Sequence, residues 1–85
     1  MKPGSFRIIV LQEEGMFVAQ GLEHDICVQA EDMDTLARRF VETVDLEGEE
    51  IDQIEPAPAH FHEMWDGATE LAAHHIDDAN VRLAA

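Results

Sequence analysis

The chain has 85 residues, which is room for one small domain, and 19 acidic against five basic side chains give it a formal net charge of −14. Direct binding to DNA, RNA or an anionic membrane surface is not expected, because such binding depends on Lys and Arg contacts to phosphate. The single cysteine, Cys27, excludes an internal disulfide and a cysteine-based zinc site.

The chain opens with a predicted β-hairpin. Phe6 to Gln12 is rich in β-branched residues, Met16 to Gln20 is a second apolar run, and Glu13-Glu14-Gly15 forms the turn between them. Both faces of the first strand are apolar, which is typical of a strand covered on both sides or buried in an oligomer. Ile26 to Ala30 predicts a third strand.

The hydrophobic period then changes to that of an α-helix. Asp32 is a suitable N-cap, and the helix is expected to run to about Leu46, with Gly48 near its end. Arg38 and Arg39 are predicted on its outer side. The apolar stripe consists of Met33, Leu36, Ala37, Phe40, Val41 and Val44.

Pro56-Ala57-Pro58 is the clearest break in the chain and divides it into a core of residues 1–55 and a C-terminal part, residues 56–85. Before the break, Glu49 to Glu55 is either a helical continuation or a linker. After it, Pro58 is expected at the first position of a second short helix. Gly67 favours an early end to that helix. Its apolar stripe consists of Phe61, Met64, Trp65, Ala68, Leu71 and Ala72.

The tail, Asn80 to Leu83, is strand-like and is a candidate for pairing with the sheet. The order of elements predicts an α+β domain of two layers. One layer is a three-stranded antiparallel sheet, with the tail as a possible additional strand. One main helix covers the sheet, and the second short helix packs on the same domain or on a neighbouring subunit.

This arrangement resembles the HicB-like antitoxin family over about half of the chain. The segments that carry the resemblance are Phe6 to Gln12, Glu14 to Ala19, Ile26 to Gln29 and Asp32 to Val44. The resemblance implies a partial ribonuclease-H-like fold that oligomerises and neutralises a small basic RNA-cleaving toxin.

Two features depart from that family pattern. Asp25-Ile26 stands where Pro-Gly often precedes the cysteine. The DNA-binding segment that such antitoxins usually carry at the C-terminus has no counterpart, since Arg82 is the only cation in residues 56–85. The chain is therefore expected to be a short, stand-alone relative.

No catalytic, metal or cofactor site is predicted. His60 and His62 would lie roughly 200° apart on a helix, and His74 and His75 are adjacent, so neither pair has the i, i+4 spacing of a helical zinc site. The carboxylates are scattered, whereas two-metal catalysis needs several at one pocket. Cys27, between two apolar strand residues, is predicted to be a buried inert thiol. A metal-dependent hydrolase is accordingly ranked last among the functions.

Two function classes remain open. The first is an acidic protein-binding module with a small basic protein partner, and the second is a stand-alone homo-oligomer with a structural or regulatory role. The stripe of Phe61, Met64 and Trp65 is expected to dock on its own sheet. The alternative is that these residues form the candidate interface with a neighbouring subunit or a partner, since Trp is enriched at interface hot spots. Small size favours homo-oligomerisation. The lone thiol and the absence of an apolar signal-peptide or membrane-spanning run predict a cytoplasmic protein.

Overall fold

The computed structural model describes residues 6–70 and 79–84, which form a mixed sheet with helices on both faces. The order of the strands in the sheet is β3-β2-β1-β5-β4, and β1 pairs parallel with β5 whereas the other pairs are antiparallel. The elements are β1 (Arg7–Glu13), β2 (Met16–Gly21), β3 (Cys27–Ala30), α1 (Met33–Glu47), a 3-10 helix (Gly48–Gln53), α2 (Ala59–Gly67), β4 (Thr69–Glu70) and β5 (Asn80–Leu83).

The sheet corrects the expected three-stranded antiparallel arrangement, while the α+β class is confirmed. The strand-like tail is a full member of the sheet, where Ile8 of β1 lies opposite Val81 of β5. β2 occupies one edge of β1, so the tail pairs along the other edge. The two residues of β4, Thr69 and Glu70, add a fifth strand that is too short to leave a periodic signal in the sequence.

The predicted hairpin is confirmed, and its turn has two residues. Glu14 and Gly15 have φ angles of 47° and 81°, as in the turn type whose twist suits a two-residue hairpin. Glycine accepts this left-handed conformation at little cost, whereas glutamate does not.

β1 separates two apolar clusters, which explains why both of its faces are apolar. Ile8 and Val10 lie in the cluster beneath α1, together with Leu36 and Phe40. Ile9 lies in the other cluster, beneath α2. Of the two alternatives for this strand, coverage on both sides is therefore observed. The prediction of two layers is wrong, because α2 covers the face of the sheet opposite α1.

α1 begins and ends where the sequence predicts. The Asp32 carboxylate accepts hydrogen bonds from the backbone N–H of Thr35 at 2.7 Å and from its hydroxyl at 3.0 Å. At the other end, Gly48 has a φ of 54° and donates its N–H to the carbonyl of Val44. Arg38 and Arg39 are exposed, as expected for the outer side of the helix.

The chain between α1 and α2 follows the core closely. Its first part is the 3-10 helix, so the helical alternative for this segment is confirmed, and the side chain of Ile51 is buried there. Beyond it, Nδ1 of His24 contacts the carbonyl of Ile54 at 2.9 Å, and the N–H of Ala57 donates to the carbonyl of Leu22 at 3.1 Å. The division of the chain at residue 55 stays a prediction.

α2 is short, as the position of Gly67 indicated, and Gly67 is its last residue. Pro58 precedes the helix as its N-cap instead of occupying the first helical position. The remaining predicted members of the stripe, Leu71 and Ala72, lie outside the described residues, as do His74 and His75.

Candidate protein-docking surface

The candidate interface residues of α2 come together on the side of the helix that faces its own sheet. Trp65 is 8% exposed and belongs to the cluster of Ile9 and Leu22. Phe61 and Met64 are half-buried at the edge of the same cluster. Docking on the sheet is thus observed for this stripe, and a role for it at a subunit interface stays a prediction.

A different surface concentrates charge and exposed apolar area where α1 passes into the 3-10 helix. Leu46 is 87% exposed and is the one large hydrophobic side chain so exposed in residues 6–70 and 79–84. Exposed carboxylates precede and follow it along the chain. We call this surface the acidic end of α1, and it consists of Glu42, Asp45, Leu46, Glu49, Glu50 and Asp52.

Helical spacing places the first part of this surface on one side of α1. Glu42 and Leu46 are four residues apart and Glu42 and Asp45 are three apart, and side chains at these spacings are neighbours on a helix surface. The apolar side chain is therefore flanked by like charges. The turn of chain that follows adds Glu49 and Glu50, which are both exposed.

In the isolated chain, the helix dipole makes these carboxylates destabilising at the C-terminal end of α1. The C-terminus of a helix carries a partial negative charge, which cationic side chains stabilise. The last turn of α1 contains no basic residue, and it includes Asp45 and the half-buried Glu47. A cationic group supplied from outside would offset both the carboxylates and the dipole.

The exposure of Leu46 has a signal in the sequence, separate from the apolar stripe of α1. Leu46 lies two positions beyond Val44, the last member of the stripe, and therefore roughly 200° around the helix from it. An apolar residue on the polar side of an amphipathic helix, between Asp45 and Glu47, is expected to expose its side chain to solvent, where it is available for contact with a partner.

Cys27 is exposed, so the prediction of a buried thiol is wrong. In β3 the side chains of Val28 and Ala30 pack on the core, and alternation along the strand therefore turns Cys27 away from it. Partial desolvation raises the pKa of the Cys27 thiol, and the charges of Asp25 and Glu13 raise that pKa further. The thiolate form is thereby disfavoured, which makes this a poor nucleophile.

The histidines of α2 make separate contacts. The ring of His60 contacts that of Phe61 in a tilted arrangement, with centroids 4.0 Å apart, whereas Nε2 of His62 lies 3.2 Å from the carbonyl oxygen of Ala57. Among the described residues, no three His, Cys, Asp or Glu side chains are grouped so that they could hold a metal ion.

Comparisons of the chain with family models, with curated proteins and with solved structures found no match. None of the helices in the described ranges combines the length and the apolar character needed to cross a membrane. Within residues 6–70 and 79–84, the acidic end of α1 is the surface that combines an exposed large apolar side chain with a group of carboxylates.

Proposed function

We propose that this chain is a protein-binding module that docks a basic protein on the acidic end of α1. The observation that carries the proposal is Leu46, 87% exposed among carboxylates at a helix C-terminus. The leucine supplies apolar contact inside a polar rim, and the carboxylates steer a cationic partner and fix its orientation. Docking removes the leucine from water and brings positive charge to the helix end.

Binding, and not catalysis, is the chemistry that this surface suits. Carboxylates are acceptors of hydrogen bonds when ionised, and here they are spread along an exposed helix end. Catalytic carboxylates instead share a pocket that excludes water and shifts their pKa values. The proposed module accordingly needs no metal or cofactor.

The resemblance to HicB-like antitoxins suggests the class of the partner, a small basic RNA-cleaving toxin. The observation behind this suggestion is the arrangement of three antiparallel strands, a helix and a later strand parallel to β1. An RNA-cleaving protein carries cationic side chains for its substrate. An acidic surface that covers those side chains would neutralise it.

The test is co-expression of the chain with the small basic protein encoded nearest to it, followed by affinity purification at low and high salt. The unaltered chain is expected to retain the basic protein at low salt and to lose much of it at high salt, because exposed charges are screened. The double variant Glu49→Gln/Glu50→Gln should retain less. The matched control, Glu63→Gln/Asp66→Asn, removes the same charge from exposed positions on α2 and should behave like the unaltered chain.

Two outcomes would contradict the proposal. One is that the co-expressed basic protein does not co-purify with the chain. The other is equal retention by the two double variants, which would mean that net charge, and not the acidic end of α1, governs the association.

A homo-oligomer is the second candidate function, and the edge of the sheet favours it. Within the described ranges, β3 pairs on one side only, and such an edge is a template for strand pairing. The carbonyl of Gln29 accepts a hydrogen bond from Arg39 at 2.6 Å and so points away from β2. Gln29→Pro should therefore block edge pairing while leaving the β2 ladder intact. A mass in solution above that of one chain, lowered by this variant, would support the second candidate.

A further inference from the structure

Two of the few arginines in this acidic chain line one cavity on the α2 side of the sheet. Arg7 lies opposite Asn80, and Ile9 lies opposite Arg82, in the parallel pairing of β1 with β5. Opposed residues share a face, so both arginines point to the side on which α2 packs. The cavity has a volume of about 270 Å³ and is lined by Arg7, Trp65, Glu70, Asn80, Val81 and Arg82.

Arg82 is held in place from two directions. Its Nη1 donates a hydrogen bond to the carbonyl of Trp65 at 2.8 Å, at the C-terminal end of α2. Its guanidinium carbon lies 4.4 Å from the centroid of the Trp65 ring, which is the geometry of a cation–π contact. A guanidinium fixed in this way loses little further freedom when it binds a ligand.

Arg7 is also held in place, by Glu23. The backbone N–H of Arg7 donates to Oε1 of Glu23 at 2.7 Å, and its Nε donates to Oε2 at 2.5 Å. Its guanidinium carbon lies 5.9 Å from the centroid of the Trp65 ring. Both arginines therefore flank the same indole.

Donors remain available on both arginines. A guanidinium carries five N–H donors, and each of these two uses one of them for a protein acceptor within residues 6–70 and 79–84. Glu23 compensates the charge of Arg7, while the charge of Arg82 faces the cavity together with the exposed Asn80. The carboxylate of Glu70, on the neighbouring strand, opposes an anion there.

We propose that Arg7, Asn80 and Arg82 bind a small oxyanion, the phosphate or carboxylate group of a ligand, beside Trp65. Guanidinium groups match the paired oxygens of such groups in charge and geometry. The net charge of the chain does not prevent this, because charges further away than about 8 Å are largely screened at physiological ionic strength. The site lies on the opposite face of the sheet from α1, so it is distinct from the acidic end of α1.

Trp65 is the only tryptophan of the chain, so its fluorescence reports directly on this cavity. The full-length chain is titrated with inorganic phosphate and, separately, with acetate, with ionic strength held constant by chloride. We expect a saturable change with half-saturation at roughly 1–10 mM for at least one of the two anions. Saturation by phosphate alone identifies a phosphoryl group, and saturation by acetate alone identifies a carboxylate.

Two variants make the test specific. Glu70→Gln removes the opposing charge and should tighten binding by about threefold to tenfold, because the nearest like charge is lost. Arg7→Gln should weaken binding by about tenfold or more. The matched control is Arg38→Gln, which removes one cation from the exposed side of α1 and should leave the half-saturation concentration unchanged.

The proposal is overturned by a fluorescence change that does not saturate or that chloride alone reproduces. It is equally overturned if Arg38→Gln weakens binding as much as Arg7→Gln does. The Glu70 side chain makes no hydrogen bond or ion pair within residues 6–70 and 79–84, so Glu70→Gln is expected to stay folded and to show the tighter binding. Unchanged or weaker binding by Glu70→Gln would contradict the assignment of the cavity.

Discussion

Glu14 adopts a left-handed conformation, with φ of 47°, in the turn between β1 and β2. Such a backbone costs a residue with a Cβ roughly 1 kcal/mol, and Asn tolerates it better than Glu. Glu14→Asn should therefore raise the free energy of unfolding by about 0.5–1 kcal/mol, measured by urea denaturation. Gly15→Ala, at φ of 81°, should lower it by about 1 kcal/mol. Equal stability of all three chains would mean that the turn is not strained.

His24 links the loop between β2 and β3 to the chain that leads to α2. The carbonyl of Ile54 can only accept, so Nδ1 of His24 is the protonated nitrogen, and Nε2 is buried with no partner among the described residues. His24→Ala should lower the free energy of unfolding by about 2–3 kcal/mol, through the lost hydrogen bond and the cavity left beside Phe6.

His24→Asn is the matched control, because its side-chain amide can replace the Nδ1 donor. It should recover part of the loss in the same denaturation experiment. If both variants lose the same stability, the hydrogen bond to Ile54 contributes nothing measurable and the packing of the ring accounts for the whole effect.

At the scale of elements, the N-cap of α1 gives a pH dependence whose sign is fixed. The backbone hydrogen bond from Thr35, and then its hydroxyl, lower the pKa of Asp32 below its ordinary value of 3.8. The stabilisation by the ionised cap is therefore fully present above about pH 4 and is lost as the pH falls through the lower folded-state pKa. Asp32→Asn keeps a capping acceptor but does not titrate.

The difference in urea midpoint between the unaltered chain and Asp32→Asn isolates this effect, since all other acidic groups are shared. The unaltered chain should be the more stable at pH 7, and the difference should shrink as the pH falls below 3.8. A difference that is constant across this range would contradict a role for the charge of Asp32.

α2 depends on Trp65 for its attachment to the sheet. Trp65→Ala should cost about 3–5 kcal/mol of unfolding free energy, because the ring packs on Ile9 and Leu22 and carries the contact with Arg82. Trp65→Phe should cost less and leave the chain folded. If Trp65 also lies at a subunit interface, its substitution should lower the apparent mass in solution. An unchanged mass with reduced stability would refute that interface.

Elements with strong local signals could be predicted from the sequence, and contacts between distant elements could not. The hairpin follows from two apolar runs around the Glu14-Gly15 turn, and α1 follows from its helical apolar stripe and the Asp32 cap, all of which are local signals. The face of the sheet that α2 covers is decided by Ile9 and Leu22, far from Trp65 in the chain. β4 has two residues, and its pairing in the part of the chain that the structure describes is with β5.

The candidate sites show the same limit. The exposure of Leu46 is predictable from its position on the polar side of α1, because that signal is local. The cavity between Arg7 and Arg82 is not, since it exists only through the parallel pairing of β1 with β5. The exposure of Cys27 could not be predicted, because flanking apolar residues do not determine which face of a strand a side chain occupies.

On the scale of the whole molecule, the sheet separates two chemically different surfaces. α1 and the 3-10 helix cover one face and carry the acidic end of α1. α2 covers the other, where Arg7 and Arg82 meet Trp65. A basic protein and a small oxyanion would therefore bind on different sides of the sheet. The net charge of −14 favours fast, salt-sensitive association with the basic protein.

The central claim, that the acidic end of α1 docks a basic protein, is tested most directly by mapping amide chemical shifts of the isotopically labelled chain during titration with that protein. The largest changes are expected at Glu42, Leu46, Glu49 and Glu50. Leu46→Ser should weaken the association by about tenfold, because an apolar side chain is lost from the contact. It should change the free energy of unfolding by about 0.5 kcal/mol or less because the side chain is exposed. Changes confined to β3 or α2, with the acidic end of α1 unaffected, would contradict the claim.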